Sequence, residues 1–162
     1  MRAIEQYMNI LPDREARAGL AGQTLRGVQR LLRAAGYASI SEAPLSSGRR
    51  ADVLAVGPGR GEIVIAEIKS SRADFLSDHK WREYRPWCDQ FFFAIPPGLD
   101  PELMPPEEGL IIADAWGGEI MRAARKRPLA AARRKAVILL FAQLAAQRLH
   151  DSLDPQAGRG LI

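Results

Sequence analysis

Cysteine is almost missing from this chain of 162 residues. The one present, Cys88, excludes an internal disulfide and any cysteine-cluster metal centre, and it fits a reducing compartment such as the cytoplasm. Histidine is nearly as scarce. His79 and His150 stand alone, without metal-ligand spacing, and both are expected to be structural or exposed. No Ser/His/Asp or Cys/His arrangement can be read, and there is no internal repeat. No run approaches the ~18 apolar residues that a membrane span needs. The opening Met1-Arg2-Ala3-Ile4-Glu5-Gln6-Tyr7-Met8 lacks the apolar core of a signal peptide. These absences point to a soluble, cytoplasmic protein with no membrane partner.

What is present suits one globular domain, large enough to bury a single core. The net charge of +4 and pI near 9.6 favour a polyanionic partner. Two β-branched runs, Arg49–Val56 and Glu62–Ser70, flank the turn Gly57-Pro58-Gly59-Arg60-Gly61 and predict an antiparallel hairpin. A turn centred between Gly59 and Arg60 sets Val56 opposite Ile63, Leu54 opposite Ile65 and Asp52 opposite Glu67. Side chains alternate faces along a strand, so Lys69 shares the face of Glu67. Opposed residues have Cβ atoms roughly 4.5–5.5 Å apart, where two carboxylates repel. Burying both needs a cation nearby: Lys69, or an oxygen-liking divalent metal.

Along the rest of the chain, residues 1–13 carry no period and are expected to form a flexible arm. An apolar stripe from Arg14 to Ala35, with Gly36 at a left-handed C-cap, predicts a helix. Glu15 in its first turn serves the helix dipole or an accessory role, and Gln23 is polar near the same end. A short strand is expected over Tyr37–Leu45. After Lys69, Ser70 or Ser71 can cap a helix running to Trp87, with Asp74 in its first turns and Ala73, Leu76, Lys80, Tyr84 and Trp87 on its inner face. Lys80 interrupts that stripe. It either snorkels and pairs with Asp78 or Glu83, or turns back toward Asp52 and Glu67 or a phosphate. Tyr84 beside it packs or binds phosphate. Phe91–Ile95 reads as a central strand buried on both faces, Leu99–Glu108 as surface loop, and Gly109–Asp114 and Glu119–Ala123 as a further strand pair. Asp114 reads as a turn residue. Arg122, Arg125, Lys126, Arg127, Arg133, Arg134 and Lys135 form the densest basic block, either a solvated face or a phosphate contact. Leu129–His150 predicts a helix with Val137, Leu140, Phe141, Leu144 and Ala145 inward, and 151–162 a frayed tail. One domain over 14–150 follows. Its element order gives an α/β fold, a mixed sheet with helices on its faces.

Asp on one strand and Glu-x-Lys on the next resembles the PD-(D/E)XK nuclease motif, with Ala51 in place of its proline. Four stretches extend the likeness: Arg-Ala-Asp-Val-Leu-Ala at 50–55, Glu-Ile-Lys-Ser-Ser-Arg-Ala-Asp-Phe at 67–75, Asp-His-Lys-Trp-Arg-Glu-Tyr at 78–84 and Cys-Asp-Gln-Phe-Phe-Phe-Ala at 88–94. Together they resemble the MmcB-type DNA-repair endonucleases, from about Gly19 to His150. The resemblance implies a restriction-endonuclease-like core and a DNA substrate. It also implies Mg²⁺, or Mn²⁺, held by Asp52, Glu67 and the carbonyl of Ile68. Catalysis would fall to Asp52, Glu67 and Lys69, with Lys80 and Tyr84 accessory, leaving a 5′-phosphate and a 3′-hydroxyl. Arg50, Arg60, Arg72, Arg125, Lys126 and Arg127 are the candidate DNA contacts. A DNA-binding module without turnover, and a structural protein in which the three charges form a buried cluster, are the other readings.

Overall fold

The computed structural model describes residues 14–156. The expected arm over 1–13, the side chain of Glu15, and the end of the tail from 157 lie outside the described residues. Helix α1 (Arg14–Ala34) is followed by β1 (Ala38–Pro44), β2 (Arg50–Val56) and β3 (Ile63–Ile68). A short helix α2 (Arg72–Ser77) and a 3₁₀ segment (Trp81–Trp87) lead into β4 (Gln90–Ile95). Then come β5 (Gly109–Ala113), β6 (Gly118–Arg122) and the long helix α3 (Ala131–Leu153).

The six strands form one mixed sheet in sequence order. β1, β2 and β3 run antiparallel, β4 and β5 run parallel to β3, and β6 returns antiparallel to β5. The parallel steps need crossovers, which α2 with the 3₁₀ segment and the loop after β4 provide. The hairpin register is the one that the turn dictates: Val56 faces Ile63, Leu54 faces Ile65 and Val53 faces Ala66.

Alternation splits the core into two layers. Val53, Ala55, Val64, Ala66, Phe92, Ala94 and Ile111 meet Val28 and Leu32 of α1. Leu54, Ile65, Phe91, Phe93 and Ile95 meet Trp81, Tyr84 and Val137 on the other face. β4 is therefore covered on both sides, as a continuous apolar run requires. Helix α1 ends in a Schellman turn at Gly36, whose φ is +85°; Tyr37 N–H donates to Leu32 O and Gly36 N–H to Arg33 O.

Three expectations change. The helix predicted from Ser71 to Trp87 stops at Ser77, because Asp78 is extended and the chain restarts as 3₁₀ from Trp81 with Pro86 inside. The inward side chains are consequently Trp81 and Tyr84, while Leu76 is 54% exposed and Ala73 and Lys80 are exposed too. Glu108, expected on a surface loop, is fully buried with Arg85 and Arg127 on its carboxylate. Residues Asp151–Leu153 continue α3 rather than fray.

Candidate active site

The backbone ladder between β2 and β3 stops at Val53 and Ala66. One residue further, the side chains take over the pairing. Asp52 N–H donates to Glu67 Oε1 at 3.1 Å, and Ile68 N–H donates to Asp52 Oδ2 at 2.8 Å. Each carboxylate thus spends one oxygen on the opposite strand's backbone, and among the described residues Asp52 Oδ1 and Glu67 Oε2 accept no hydrogen bond. Asp52, Glu67 and Lys69 share the face of Leu54 and Ile65, the one covered by the 3₁₀ segment.

Burial and the neighbouring Asp52 charge push the Glu67 carboxyl up to about 8, and burial also raises Asp52. Without a cation the pair holds a proton at neutral pH. Lys69 is buried and ion-paired to Asp78, Nζ to Oδ2 at 2.8 Å. Burial lowers the Lys69 pKa, but the bond to Asp78 and the charges of Asp78, Asp74 and Glu67 together outweigh it and the ammonium is stabilised. That bond in turn holds Asp78 below its usual range despite burial, helped by the backbone N–H of Lys80 at 2.9 Å.

Two residues sit closer to Asp52 than the sequence suggested. Glu42 on β1 falls opposite it in register, between the pairs Ser41–Val53 and Ala43–Ala51. Its φ of +50° is positive, a conformation non-glycine residues avoid. Arg148 of α3 donates to the carbonyls of Ser41 and Glu42 and holds that kink, while the Glu42 carboxylate turns to Arg50 at 2.5 Å. Tyr84 is buried, and its hydroxyl donates to Arg50 O at 2.9 Å. Burial and the charges of Glu67 and Asp52 raise its pKa, so it remains a neutral phenol beside the pair.

The donor set suits Mg²⁺ better than a soft metal. It offers two carboxylate oxygens, and the C=O of Ile68 turns to the β2 side together with its N–H. Among the described residues no group of three or more His, Cys, Asp and Glu forms a metal cage. Mg²⁺ needs none, since it keeps several waters and binds through one or two carboxylates.

A family model described as DNA repair protein MmcB-like matches residues 12–156. The chain belongs to this family. A protein of unknown function from Silicibacter pomeroyi is similar over 85% of this chain and 93% of that chain, at 47% identity and a TM-score of 0.80. No curated protein matches.

In this MmcB-like fold the strand directions sort the remaining candidates. Arg50, at the start of β2, and Arg72, at the start of α2, lie at the carboxylate end of the sheet. Arg60, Arg125, Lys126 and Arg127 lie at the other end, so the basic block does not flank the pair. There Arg127 N–H bonds Asp89 O, and Asp89 N–H bonds Ile63 O at the start of β3. Much of the block is occupied: Lys126 with Glu62, Arg127 with Glu108, Arg134 with Asp89. Lys80 is exposed and contacts Asp78 through its backbone only. Asp114 is the expected turn residue, accepting from Trp116 and Gly117 N–H. Cys88 is buried, which raises its thiol pKa and removes it as a nucleophile. The Lys69–Asp78 pair had one sequence signal, an acid nine residues after a buried lysine. Glu108 had none.

Proposed function

We propose that this MmcB-like chain is a metal-dependent DNA endonuclease of the PD-(D/E)XK type acting in repair. The observation that carries the reading is the side-by-side pair Asp52 and Glu67, buried, each with one oxygen held by backbone, and with no ion pair to a cation among the described residues. Asp52, Glu67 and the Ile68 carbonyl would hold Mg²⁺, with Mn²⁺ an alternative. Bound there, the ion supplies Lewis acidity toward a phosphodiester and lowers the pKa of water. Lys69 remains charged through Asp78, so it acts as a donor that offsets charge on the phosphate and orients the attacking water rather than as a base. The water oxygen would bond phosphorus as the bond to O3′ breaks, its proton passing to solvent and O3′ taking one from solvent, leaving a 5′-phosphate and a 3′-hydroxyl. Tyr84 fixes the backbone at Arg50 and thereby the start of β2.

Cleavage with Mg²⁺ or Mn²⁺ across single-stranded, nicked, flapped, branched and lesion-bearing DNA tests the proposal. Asp52→Asn and Glu67→Gln should each lower the rate by about 10²–10³, the scale for losing one preorganised electrostatic group. Full activity in Asp52→Asn would remove the site from the chemistry. One observation favours a DNA-binding module without turnover: Lys69 is already neutralised by Asp78 at 2.8 Å. DNA binding with no cleavage on any of these substrates would select it.

A further inference from the structure

The charge that the basic block withholds reappears on α1. Arg26, Arg30 and Arg33 follow each other at spacings of four and three and share one helix face. All three are exposed, and among the described residues none has a carboxylate partner. Like charges at these spacings weaken a helix; Arg33 in the last turn complements the helix dipole, and Arg26 has no such role. It borders a groove of about 560 Å³ whose far wall is Tyr37, Ala38 and Ser39.

Beside the row stands Trp116, 79% exposed at the tip of the β5–β6 turn. Its backbone is tied to the turn and to α1. Asp114 Oδ1 accepts from Trp116 N–H at 2.8 Å and from Gly117 N–H at 3.1 Å. Arg30 Nη1 donates to Trp116 O at 3.2 Å, and its guanidinium lies 5.7 Å from the ring centroid. Gly27 seals the two elements: a Cβ there would fall 2.0 Å from Asp114 O and 2.5 Å from Gly117 O. Helix and turn are therefore packed as one unit, an arginine row with an aromatic plate beside its middle member. Beyond the plate a second groove of about 650 Å³ opens between Pro97, Ile112 and Met121.

We infer that this unit is a binding site for single-stranded DNA, with phosphates on Arg26, Arg30 and Arg33 and a base stacked on Trp116. Arginines without carboxylate partners beside an exposed indole are the two elements of sequence-tolerant single-strand recognition. A duplex hides its bases and would use the arginines but not the ring. The turn follows the C-terminal end of β5, the end at which Glu67 and Lys69 leave β3, but α1 covers the opposite face of the sheet, so this site is separate from the carboxylate pair. The inference rests on the DNA reading above, but not on cleavage.

The test is titration with oligo-dT in EDTA, in the Asp52→Asn background so that nothing is cut. Trp81 is buried and Trp87 half-buried, so Trp116 dominates quenching of intrinsic fluorescence. Quenching is expected in Asp52→Asn and lost in Trp116→Ala. Trp116→Ala should weaken binding about tenfold, read by anisotropy of a labelled oligonucleotide, with Trp116→Phe restoring most of it. Arg26→Ala with Arg33→Ala should lower the log–log salt slope by about 1.4, two single-strand contacts at about 0.7 each. Duplex binding should be unaffected by Trp116→Ala. Wild-type affinity in Trp116→Ala overturns the inference, as does an equal loss on duplex. Quenching by poly-glutamate but not by oligo-dT overturns it in favour of an acidic protein partner. Cleavage without quenching sinks this site alone. Quenching without cleavage in the wild type sinks the nuclease proposal alone.

Discussion

At the residue scale the behaviour of the molecule turns on Glu67. Its carboxyl is held at about 8 in the fold, against 4.5 when unperturbed, so between those values the folded protein binds a proton that the unfolded chain does not. Stability therefore falls as pH climbs from about 4.5 through about 8 and is fully present below that window. Melting of the metal-free protein at a series of pH values should show this decline. Asp52→Asn should lessen it, because the amide oxygen can still accept from Ile68 N–H and the Asp52 charge is gone, while the burial that chiefly raises Glu67 remains. Mg²⁺ displaces the same proton, so it should raise the wild-type melting temperature increasingly up to about pH 8, and leave the variant unmoved. A Mg²⁺-blind wild type beside a variant destabilised by roughly 3–5 kcal/mol would instead make the three charges a structural cluster. The facing of Asp52 and Glu67 was legible in the sequence because turn length alone sets a hairpin register. Glu42 was not, since nothing in its neighbours announces a positive φ that Arg148 imposes from another element.

At the element scale the sequence was most legible where local rules and tertiary packing agree. α1 and its Gly36 cap, the two-faced β4 and the inward stripe of α3 are of that kind. It was least legible between Ser71 and Trp87, where Ala73, Leu76, Lys80, Tyr84 and Trp87 fit a helical period that the chain abandons. Two forces end the helix early. The buried ammonium of Lys69 draws in Asp78, which becomes extended and takes Lys80 N–H on its other oxygen. Pro86 then removes a donor from the following turns, which settle as 3₁₀. The reset brings Trp81 onto Phe91 and Phe93, at centroid distances of 5.8 and 5.1 Å. Trp81→Ala should consequently cost about 3–5 kcal/mol in denaturant unfolding, whereas Leu76→Ala should fall within about 0.5 kcal/mol of wild type. A continuous helix would give the reverse order.

At the scale of the whole molecule, the parallel run of β3, β4 and β5 gives the sheet two unlike ends. At one, Asp89 accepts from Ile63 N–H, Leu129 N–H and both terminal nitrogens of Arg134, and Glu108 gathers Arg85 and Arg127. Asp89→Ala strands these donors and should lower stability by roughly 3–5 kcal/mol. Cleavage per folded molecule, read by active-fraction titration, should not change. The net positive charge was legible from composition, but its allotment was not, because strand direction decides which arginines meet a carboxylate.

The kink at Glu42 has a consequence of a different kind. A positive φ at a side chain that does not favour it stores a little tension, and Arg148 helps to keep it wound. The distal half of α3 is thus a latch on the strand edge beside Asp52. Anything that lifted this helix, a partner or a docking DNA arm, would let β1 spring and turn the acid at 42 toward or away from its neighbours. A helix far along the chain would then set the tuning of the carboxylates without touching them.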